Sequence, residues 1–320
     1  MLTSVKEIVK TKIYNLFEHS INSIFEKKFD EYSYKLIQLQ QFYNAPKEML
    51  YSYVTKETII SDIVERFEKL GITVRREKIC INEFEDWLKE YSELTAFYEN
   101  WGDVKIEKLL EHYLTSKYLN VDSNMIYIDI AAASSPFSTI LDRHLNGGGY
   151  YCLDLSFEKG IHGNKIGSDA GNMPLEDNSA DVMALHCAFE CFQGDSDICF
   201  VKEADRVLKY GGRFGIIPLY VDNTYFVMTG PKCDKRKISV EPEAKCIWRD
   251  DNYDREPFSR HYSPESFKTR IIDNISGMVA EIIYFVNLDE LRKNYDGSRI
   301  YCSFMFKATK MQYSSRLNEW

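Results

Sequence analysis

The sequence lacks the features that mark several large classes of protein. Its eight cysteines form no CxxC pair, which argues against a zinc site with paired ligands and against a disulfide scaffold. With 16 glycines and 8 prolines in 320 residues, the chain is neither collagen-like nor of low complexity. No apolar run approaches the roughly 20 residues of a membrane-spanning helix, and the N-terminus has no apolar signal segment. Scattered single thiols are typical of a reducing compartment, so we expect a cytoplasmic protein with no membrane span and no metal site.

Positive charge is also scarce. The chain has 40 Lys and Arg against 49 Asp and Glu, which gives a net charge of −9 and a pI near 5.3. Nucleic-acid binders usually carry a basic surface, so we expect no nucleic-acid partner. Hydrophobic residues make up 44% of the sequence and aromatic residues 14%. This composition and length predict a globular chain of two domains, or of one domain with an extension.

Helical spacing of apolar residues dominates the first 120 residues. It predicts helices near residues 5–25, 55–70, 82–98 and 104–119, with a short strand or a linker over residues 71–81. We therefore divide the chain into a helical N-terminal domain or cap, residues 1–100, and a second domain, residues 101–320. The apolar face of the first helix indicates a packing surface or a homodimer interface.

Short apolar runs alternate with helical segments after residue 122. They predict buried strands at residues 125–130, 150–155, 166–168, 181–187 and 213–220, and a final pair at residues 279–286 and 300–308. Residues 221–262 are irregular and polar, and we treat them as an insertion. The alternation predicts an α/β fold with a mostly parallel sheet and an antiparallel C-terminal edge strand.

Three acidic residues fall at or near the ends of the first three of these strands. They are Asp129, Asp154 and Asp169, and the first is followed by a loop of small residues, 131–136. In parallel α/β sheets, ligands bind at the carboxyl ends of the strands, and small residues allow a ligand close to the backbone. An acid about 20 residues beyond such a loop is typical of nucleotide-binding folds, where it accepts hydrogen bonds from ribose hydroxyls. The alternative is that the loop only begins a helix and that Asp154 caps one.

Longer motifs in the same segment add to this pattern. The loop reads DIAAASS over residues 129–135, the third strand leads into SDAGNMPLEDNSAD over 168–181, and EADRVLKYGGR spans 203–213. In this order the segment resembles the class I S-adenosylmethionine-dependent methyltransferases, whose motifs are close to D-x-G-x-G-x-G, G-D-A-x-x-L-P-F-x-D-x-S-F-D and E-x-x-R-V-L-K-P-G-G-R. The resemblance covers roughly residues 101–310 and implies a Rossmann-like methyltransferase fold.

The resemblance also implies a cofactor, S-adenosylmethionine, and its product, S-adenosylhomocysteine. Asp154, with Leu155 beside it, would bind the ribose, and Asp169 and Ala170 would lie against the adenine. The methionine part would lie along five residues of the first strand and its loop, namely Asp129, Ala131, Ala132, Ala133 and Ser134. His186, at the end of the fourth strand, would lie beside the methyl group or the acceptor. The preceding helix, with Glu107, Lys108, Glu111 and His112, would cover this pocket.

The loop departs from the family pattern because its three glycines are replaced by Ala131, Ala133 and Ser135. Each substitution adds a Cβ where the backbone meets the cofactor, and any position that needs a positive φ is strained. An alternative function is therefore a degenerate homologue that serves as a binding or scaffold subunit.

Methyl transfer to a hydroxyl needs a general base near neutral pH, and histidine or a carboxylate suits this task. His186, His261 and Glu190 are the catalytic candidates, with Asp195 as a further base and Tyr220 as a pocket residue. The insertion mixes aromatic residues with arginine, which suits a sugar or an anionic acceptor, although it equally suits an aromatic surface loop. We predict O-methylation of a small-molecule or glycan-precursor acceptor, with N- or C-methylation as alternatives.

Overall fold

The computed structural model describes residues 57–145, 149–229, 240–248 and 258–312, and scattered helical positions between residues 14 and 28. Within these residues the α-helices are α1 Glu57–Lys69, α2 Ile81–Glu90, α3 Ser92–Phe97, α4 Lys105–Tyr118, α5 Phe137–Leu145, α6 Ser196–Val207, α7 Pro264–Arg270 and α8 Leu288–Asn294. The strands are β1 Thr73–Glu77, β2 Tyr127–Ile130, β3 Tyr150–His162, β4 Lys165–Gly167, β5 Ala180–His186, β6 Leu208–Ile217, β7 Phe226–Thr229, β8 Lys245–Trp248, β9 Ser259–His261, β10 Met278–Phe285 and β11 Phe304–Lys310.

Eight of these strands form one sheet in the order β1-β10-β11-β6-β5-β2-β3-β4. The central pairs β3–β2, β2–β5 and β5–β6 are parallel, and β11 runs antiparallel to both of its neighbours. The predicted fold class, a Rossmann-like and mostly parallel α/β sheet with an antiparallel C-terminal strand, is confirmed. The antiparallel strand lies two places in from the edge, because β10 and β1 extend the sheet beyond it.

The edge strand β1 comes from the part of the chain that the sequence assigned to a helical N-terminal domain. Its register pairs Thr73 with Glu281 and Glu77 with Phe285, parallel to β10. Helix α1 precedes it and packs Phe67 edge-on against Phe267 of α7. Residues 57–77 are therefore continuous with the main sheet.

The strands send alternate side chains into two apolar layers, one on each face of the sheet. In β10, Ile282 joins the layer that contains Phe67 and Phe267, whereas its neighbour Ile283 joins the opposite layer. This alternation follows from the two-residue period of a strand. Because both faces are covered, the central strands read as continuous apolar runs in the sequence.

The connection between β3 and β4 contains no helix. The first half of β3 pairs with β4 through Asp154 and Gly167, and residues 159–162 then run back along β4, with Ile161 opposite Ile166. Strand β4 thus lies between the two halves of β3. Residues 155–158, the crossing chain that joins the two halves of β3, pass close to Gly167. A Cβ at Gly167 would lie 1.9 Å from the carbonyl oxygen of Glu158.

The insertion, predicted to be irregular, contains three short strands, and that prediction was wrong. β7 pairs in parallel with β8 and antiparallel with β9, forming a separate sheet. Phe226, Met228 and Ile247 form its own apolar cluster. Strands of three or four residues leave too little alternation in the sequence to be recognised. Of the arginine and aromatic residues that the sequence places in the insertion, Arg249, Tyr253 and Arg255 lie outside the described residues.

Most of the predicted first helix also lies outside the described residues. Five of its apolar side chains are described and exposed: Tyr14, Phe17, Ile21, Ile24 and Phe25. In the part of the chain that the structure covers, no helix is both long and apolar enough to cross a membrane.

Candidate active site

Two cavities open at the carboxyl ends of the central strands and share Ala131 and Cys187. The larger, about 430 Å³, is lined by Ala131, Leu153, Asp154, Leu155, Ser168, Asp169, Ala170, Cys187, Ala188, Cys191, Phe192, Gln193 and Ser196. The smaller, about 320 Å³, is lined by Phe97, Tyr98, Trp101, Lys108, Glu111, His112, Asp129, Ala131, Ala132, Ala133, Ser134, Ser135, His186 and Cys187. Each volume falls within the roughly 300–1,000 Å³ typical of small-molecule sites. All ten residues that the sequence assigned to the cofactor line one cavity or the other.

The small-residue loop after β2 adopts the left-handed backbone conformation that glycine normally provides. Ala131 has φ of 54° and Ala133 has φ of 46°, whereas Ser135 is not among the residues with positive φ. The left-handed region costs an alanine about 1–2 kcal/mol. The loop therefore keeps its shape at the cost of strain at two of the three substituted positions.

Restoring glycine at the strained positions is expected to stabilise the protein. Ala131→Gly and Ala133→Gly relieve the strain but add entropy to the unfolded chain, so each should raise the free energy of unfolding by up to about 1 kcal/mol. Urea unfolding measures this change. Ala132→Gly is the matched control, since Ala132 is buried and has no positive φ, and it should lower stability. Equal losses at all three positions would contradict the loop geometry.

Asp154, in the first half of β3, anchors this loop to that strand. Its Oδ2 accepts the backbone N–H of Ala133 at 2.8 Å, and its Oδ1 accepts both the N–H and the hydroxyl of Ser156, at 2.8 and 2.6 Å. The carboxylate is therefore fixed in orientation at the wall of the larger cavity. Such preorganisation favours binding, because no side-chain freedom is lost when a ligand arrives.

Asp169 lies on the same wall, two residues after β4. Its Oδ1 accepts the N–H of Gly171 at 2.7 Å, and Ala170 lines the cavity beside it. Gly171 leaves no room for a side chain, since a Cβ there would lie 2.7 Å from Cβ of Cys199 on α6. The tight turn after β4 thus sets the position of this second carboxylate.

His186 is held between two polar partners. Its Nδ1 lies 3.0 Å from Oδ1 of Asp129, and its Nε2 lies 2.9 Å from the hydroxyl of Thr115 on α4. The other oxygen of Asp129, Oδ2, is buried and has no hydrogen-bond partner among the described residues. Because both nitrogens of His186 are engaged, it serves better to orient its neighbours than to accept a proton.

One wall of the smaller cavity is the face of α4 that carries Lys108, Glu111 and His112. Lys108 Nζ lies 2.9 Å from a carboxylate oxygen of the buried Glu111. Burial acts to lower the pKa of Lys108, but this contact outweighs it and raises the pKa well above its usual value. Burial lowers the pKa of His112 far below its usual value, so this ring is neutral, and its Nε2 lies 2.9 Å from the hydroxyl of Tyr98.

Cys187 lines both cavities, and the buried carboxyl of Glu190, which lines neither, lies next to its thiol. Cys187 follows β5 with φ of 50°, and its Sγ donates to Oε1 of Glu190 at 3.3 Å and lies 3.4 Å from the hydroxyl of Tyr220. Burial raises the pKa of the Cys187 thiol, so it stays protonated. Burial also raises the pKa of Glu190 to about 7, and its Oε2 has no hydrogen-bond partner among the described residues. Glu190 therefore combines a pKa of about 7 with a carboxyl oxygen that has no partner among the described residues, and it contacts the cavities through Cys187.

The raised pKa of Glu190 predicts a pH-dependent stability. The folded state binds this proton more tightly than the unfolded state does, so the stabilisation is complete below about pH 4.5 and is lost as the pH rises through 7. A glutamine has no carboxyl proton to lose, so the Glu190→Gln variant should not lose stability in this way as the pH rises. The difference in unfolding free energy between this variant and the parent should grow by about 2–3 kcal/mol from pH 5 to pH 8.

Urea unfolding at four pH values between 5 and 8 checks this expectation. Glu176→Gln is the matched control, because the Glu176 side chain is exposed and lies outside both cavities. Its difference from the parent should not change with pH. A flat difference for Glu190→Gln would show that the carboxyl is ionised in the folded protein throughout this range.

The structure does not bring His261 into either cavity. It lies in β9 with its ring stacked on Phe226, 4.5 Å between centroids, and its Nε2 is 3.1 Å from the hydroxyl of Ser259. Its ring faces Tyr220 edge-on at 5.1 Å, so it stands one layer behind the residue that contacts Cys187. Its catalytic role stays a prediction. Glu190 lines neither cavity either, but it contacts Cys187 directly, whereas His261 does so only through Tyr220.

Several lining residues were not recognised from the sequence. The aromatic residues Phe97, Tyr98 and Trp101 reach the smaller cavity from the segment after α3. Thr115 reaches His186 across 71 positions of the chain. Three aromatic residues within five positions were the available signal for the first group. Nothing in the sequence distinguishes Thr115 from other threonines on a helix.

The donor set matches what an adenosine-containing sulfonium cofactor needs. Fixed carboxylates lie in the first half of β3 and just after β4, the loop between β2 and α5 has small side chains, and the buried Oδ2 of Asp129 can accept a hydrogen bond. Within the described residues, no group of three or more His, Cys, Asp or Glu side chains is arranged to hold a metal ion. The seven cysteines that the structure describes are free thiols.

Comparison with known proteins agrees with this site. Residues 128–216, which run from β2 to β6, match the family model described as a methyltransferase domain. No curated protein matches the chain. Among solved structures, the chain is similar to a S-adenosylmethionine-dependent methyltransferase from Mesorhizobium loti, with 15% identity over 62% of this chain and 98% of that one, and a TM-score of 0.41.

Two further solved structures give similar values. A methyltransferase from Aquifex aeolicus has 15% identity over 67% of this chain and 96% of that one, with a TM-score of 0.38. The 1,6-didemethyltoxoflavin-N1-methyltransferase of Burkholderia thailandensis, with its substrate and S-adenosylhomocysteine bound, has 10% identity over 74% and 92%, with a TM-score of 0.41. These likenesses are too distant to carry an argument about function. The motif order and the sheet topology agree with the family match, so residues 128–216 form a methyltransferase domain within a Rossmann-like sheet.

Proposed function

We propose that this chain is a class I S-adenosylmethionine-dependent methyltransferase, with S-adenosylmethionine as methyl donor and S-adenosylhomocysteine as product. It would transfer the methyl group to a hydroxyl of a small molecule or a glycan precursor, in the cytoplasm. The observation that carries this proposal is Glu190, a buried carboxyl with a pKa of about 7, which accepts a hydrogen bond from Cys187, a residue that lines both cavities. A hydroxyl must lose its proton as it attacks, and a base with a pKa near the working pH is best suited to take it.

We assign the larger cavity to the adenosine part of the cofactor and the smaller cavity to the methionine part. Asp154 would accept from the ribose hydroxyls, and Asp169, with Ala170, would hold the adenine. Asp129 and the loop of residues 131–134 would lie along the methionine. The shared residues, Ala131 and Cys187, then mark the position of the reacting carbon.

The cofactor, when bound, supplies a methyl group already activated on a sulfonium. The protein therefore contributes mainly alignment, together with removal of one proton. Oε2 of Glu190 would receive that proton, while the Cys187 thiol donates to Oε1 and keeps the carboxyl oriented. His186, fixed between Asp129 and Thr115, would keep its part of the wall of the smaller cavity rigid.

The degenerate-homologue alternative rests on the strained alanines at 131 and 133. The loop nevertheless keeps the left-handed shape, and the cavity beside it remains open. This supports cofactor binding over a scaffold role. N- and C-methylation remain alternatives that acceptor screening separates. The exposed apolar residues near the N-terminus, including Phe17 and Ile21, support a homodimer.

Calorimetric titration of S-adenosylhomocysteine into the protein tests the assignment of the cavities. We expect micromolar binding that is lost in Asp169→Ala. Asp177→Ala is the control, because it removes an exposed carboxylate eight positions further on, outside both cavities. Absence of binding to the folded parent protein would favour the scaffold role instead.

A further inference from the structure

A cluster of four buried or nearly buried charged groups lies behind the larger cavity. Arg260 of β9 and Asp197 of α6 are both fully buried, with Nη1 of the arginine 2.9 Å from Oδ2 of the carboxylate. Arg270 of α7 binds the other oxygen of Asp197 at 2.7 Å, and Glu241 pairs with Arg260. The cluster has two positive and two negative charges, so it is electrically balanced without solvent.

The two arginines also hold the backbone of a segment at the cavity. Arg260 donates to the carbonyl oxygens of Phe192 and Gly194, both at 2.7 Å, and Arg270 donates to that of Gly194 at 2.6 Å. Phe192 and Gln193 line the larger cavity, and Gly194 turns the chain with φ of 56°. The wall of this cavity is thus fixed by side chains from the insertion and from the helix that follows it.

We infer that Arg260 and Arg270 are positioning residues for the cofactor, and that they make the insertion part of the cofactor site. This inference rests on the proposed assignment of the larger cavity to adenosine. The arginines fix the backbone of residues 192–194, and the nucleoside would contact this segment as well as Asp154 and Asp169, because all of them belong to the wall of the same cavity.

The chemistry of the contacts separates this role from simple stabilisation. Buried ion pairs contribute little net stability compared with apolar side chains of similar size. A guanidinium presents several donors in a fixed plane, whereas an ammonium is a point charge on a flexible stem. Only arginine at 260 can pair with Asp197 and also reach the carbonyl oxygens of Phe192 and Gly194.

The test compares Arg260→Lys with the parent protein by calorimetry, with S-adenosylhomocysteine and with adenosine as probes. We expect the dissociation constants of both probes to rise by at least about tenfold and by the same factor, because adenosine would occupy only the larger cavity. Hydrogen exchange should become faster at the amides of residues 192–196. Arg270→Lys, a less buried site, should show the same pattern to a smaller degree.

The matched control is Arg213→Lys. Arg213 also donates to backbone carbonyls of a loop, those of Leu119 and Asn120, which line neither cavity. It should leave both dissociation constants within about twofold of the parent. Folded Arg260→Lys and Arg270→Lys proteins with unchanged affinity would overturn the inference and leave the cavity assignment intact. Failure of the parent to bind either probe would overturn both.

Discussion

Replacing Asp154 by alanine is expected to weaken the binding of S-adenosylhomocysteine by at least about 100-fold. Hydrogen bonds to a charged group contribute about 1.5–3 kcal/mol each, and the ribose would lose two of them. The substitution also releases the N–H of Ala133, so the strained loop loses its anchor to β3. Calorimetry of the folded variant measures the change in dissociation constant.

Asp122→Ala is the control for this substitution. Asp122 also accepts the N–H and the hydroxyl of a neighbouring serine, Ser123, at 2.6 and 3.2 Å, but it lines neither cavity. It should leave the affinity unchanged. If Asp154→Ala binds as tightly as the parent, Asp154 does not contact the ribose and its role is confined to the loop.

The second large effect is expected at Gly167. An alanine there would place its Cβ 1.9 Å from the carbonyl oxygen and 2.4 Å from the carbonyl carbon of Glu158, which are backbone atoms. Only displacement of the crossing chain relieves such a clash, and that displacement breaks the pairing between β3 and β4. We expect Gly167→Ala to lower the free energy of unfolding by about 4 kcal/mol or more.

Gly163→Ala is the matched change in the turn of the same hairpin. Gly163 has φ of 63° but no atom within 4 Å of an added Cβ, so only backbone strain of about 1 kcal/mol is expected. Urea unfolding of both variants compares the two costs. Similar small losses would mean that residues 155–158 do not cross β4 as described.

The presence of the central strands could be predicted from the sequence because each is a short apolar run between turn residues. The place of β11 could not, since a run of apolar residues does not say which strand it will pair with. The segment of β1 could be predicted only as a short strand or a linker, because its sequence does not show which strand it pairs with. Its residues 73–77, TVRRE, alternate weakly, and only the partner β10 makes them a strand.

The site residues also divide into those that the sequence could predict and those that it could not. Asp129, Asp154 and Asp169 could be predicted because strand ends in a parallel sheet converge at one edge. The contacts that give them and their neighbours a chemical role join distant parts of the chain, as when Thr115 engages His186. The pKa of Glu190 depends on burial, which local sequence does not record.

The pairing of β1 with β10 has a consequence for synthesis of the chain on the ribosome. Contacts beside this pair join residues as far apart as Ile79 and Asn287, 208 positions along the chain. At about 5–20 residues per second, β1 emerges roughly 10–40 s before its partner. During that interval β1 has no partner strand, so it stays unpaired while the strands from β2 to β6 are already available to pair. The sheet is therefore completed only when β10 and β11 have been translated. Strand β11 then pairs with β6, and β10 joins β11 to the early strand β1.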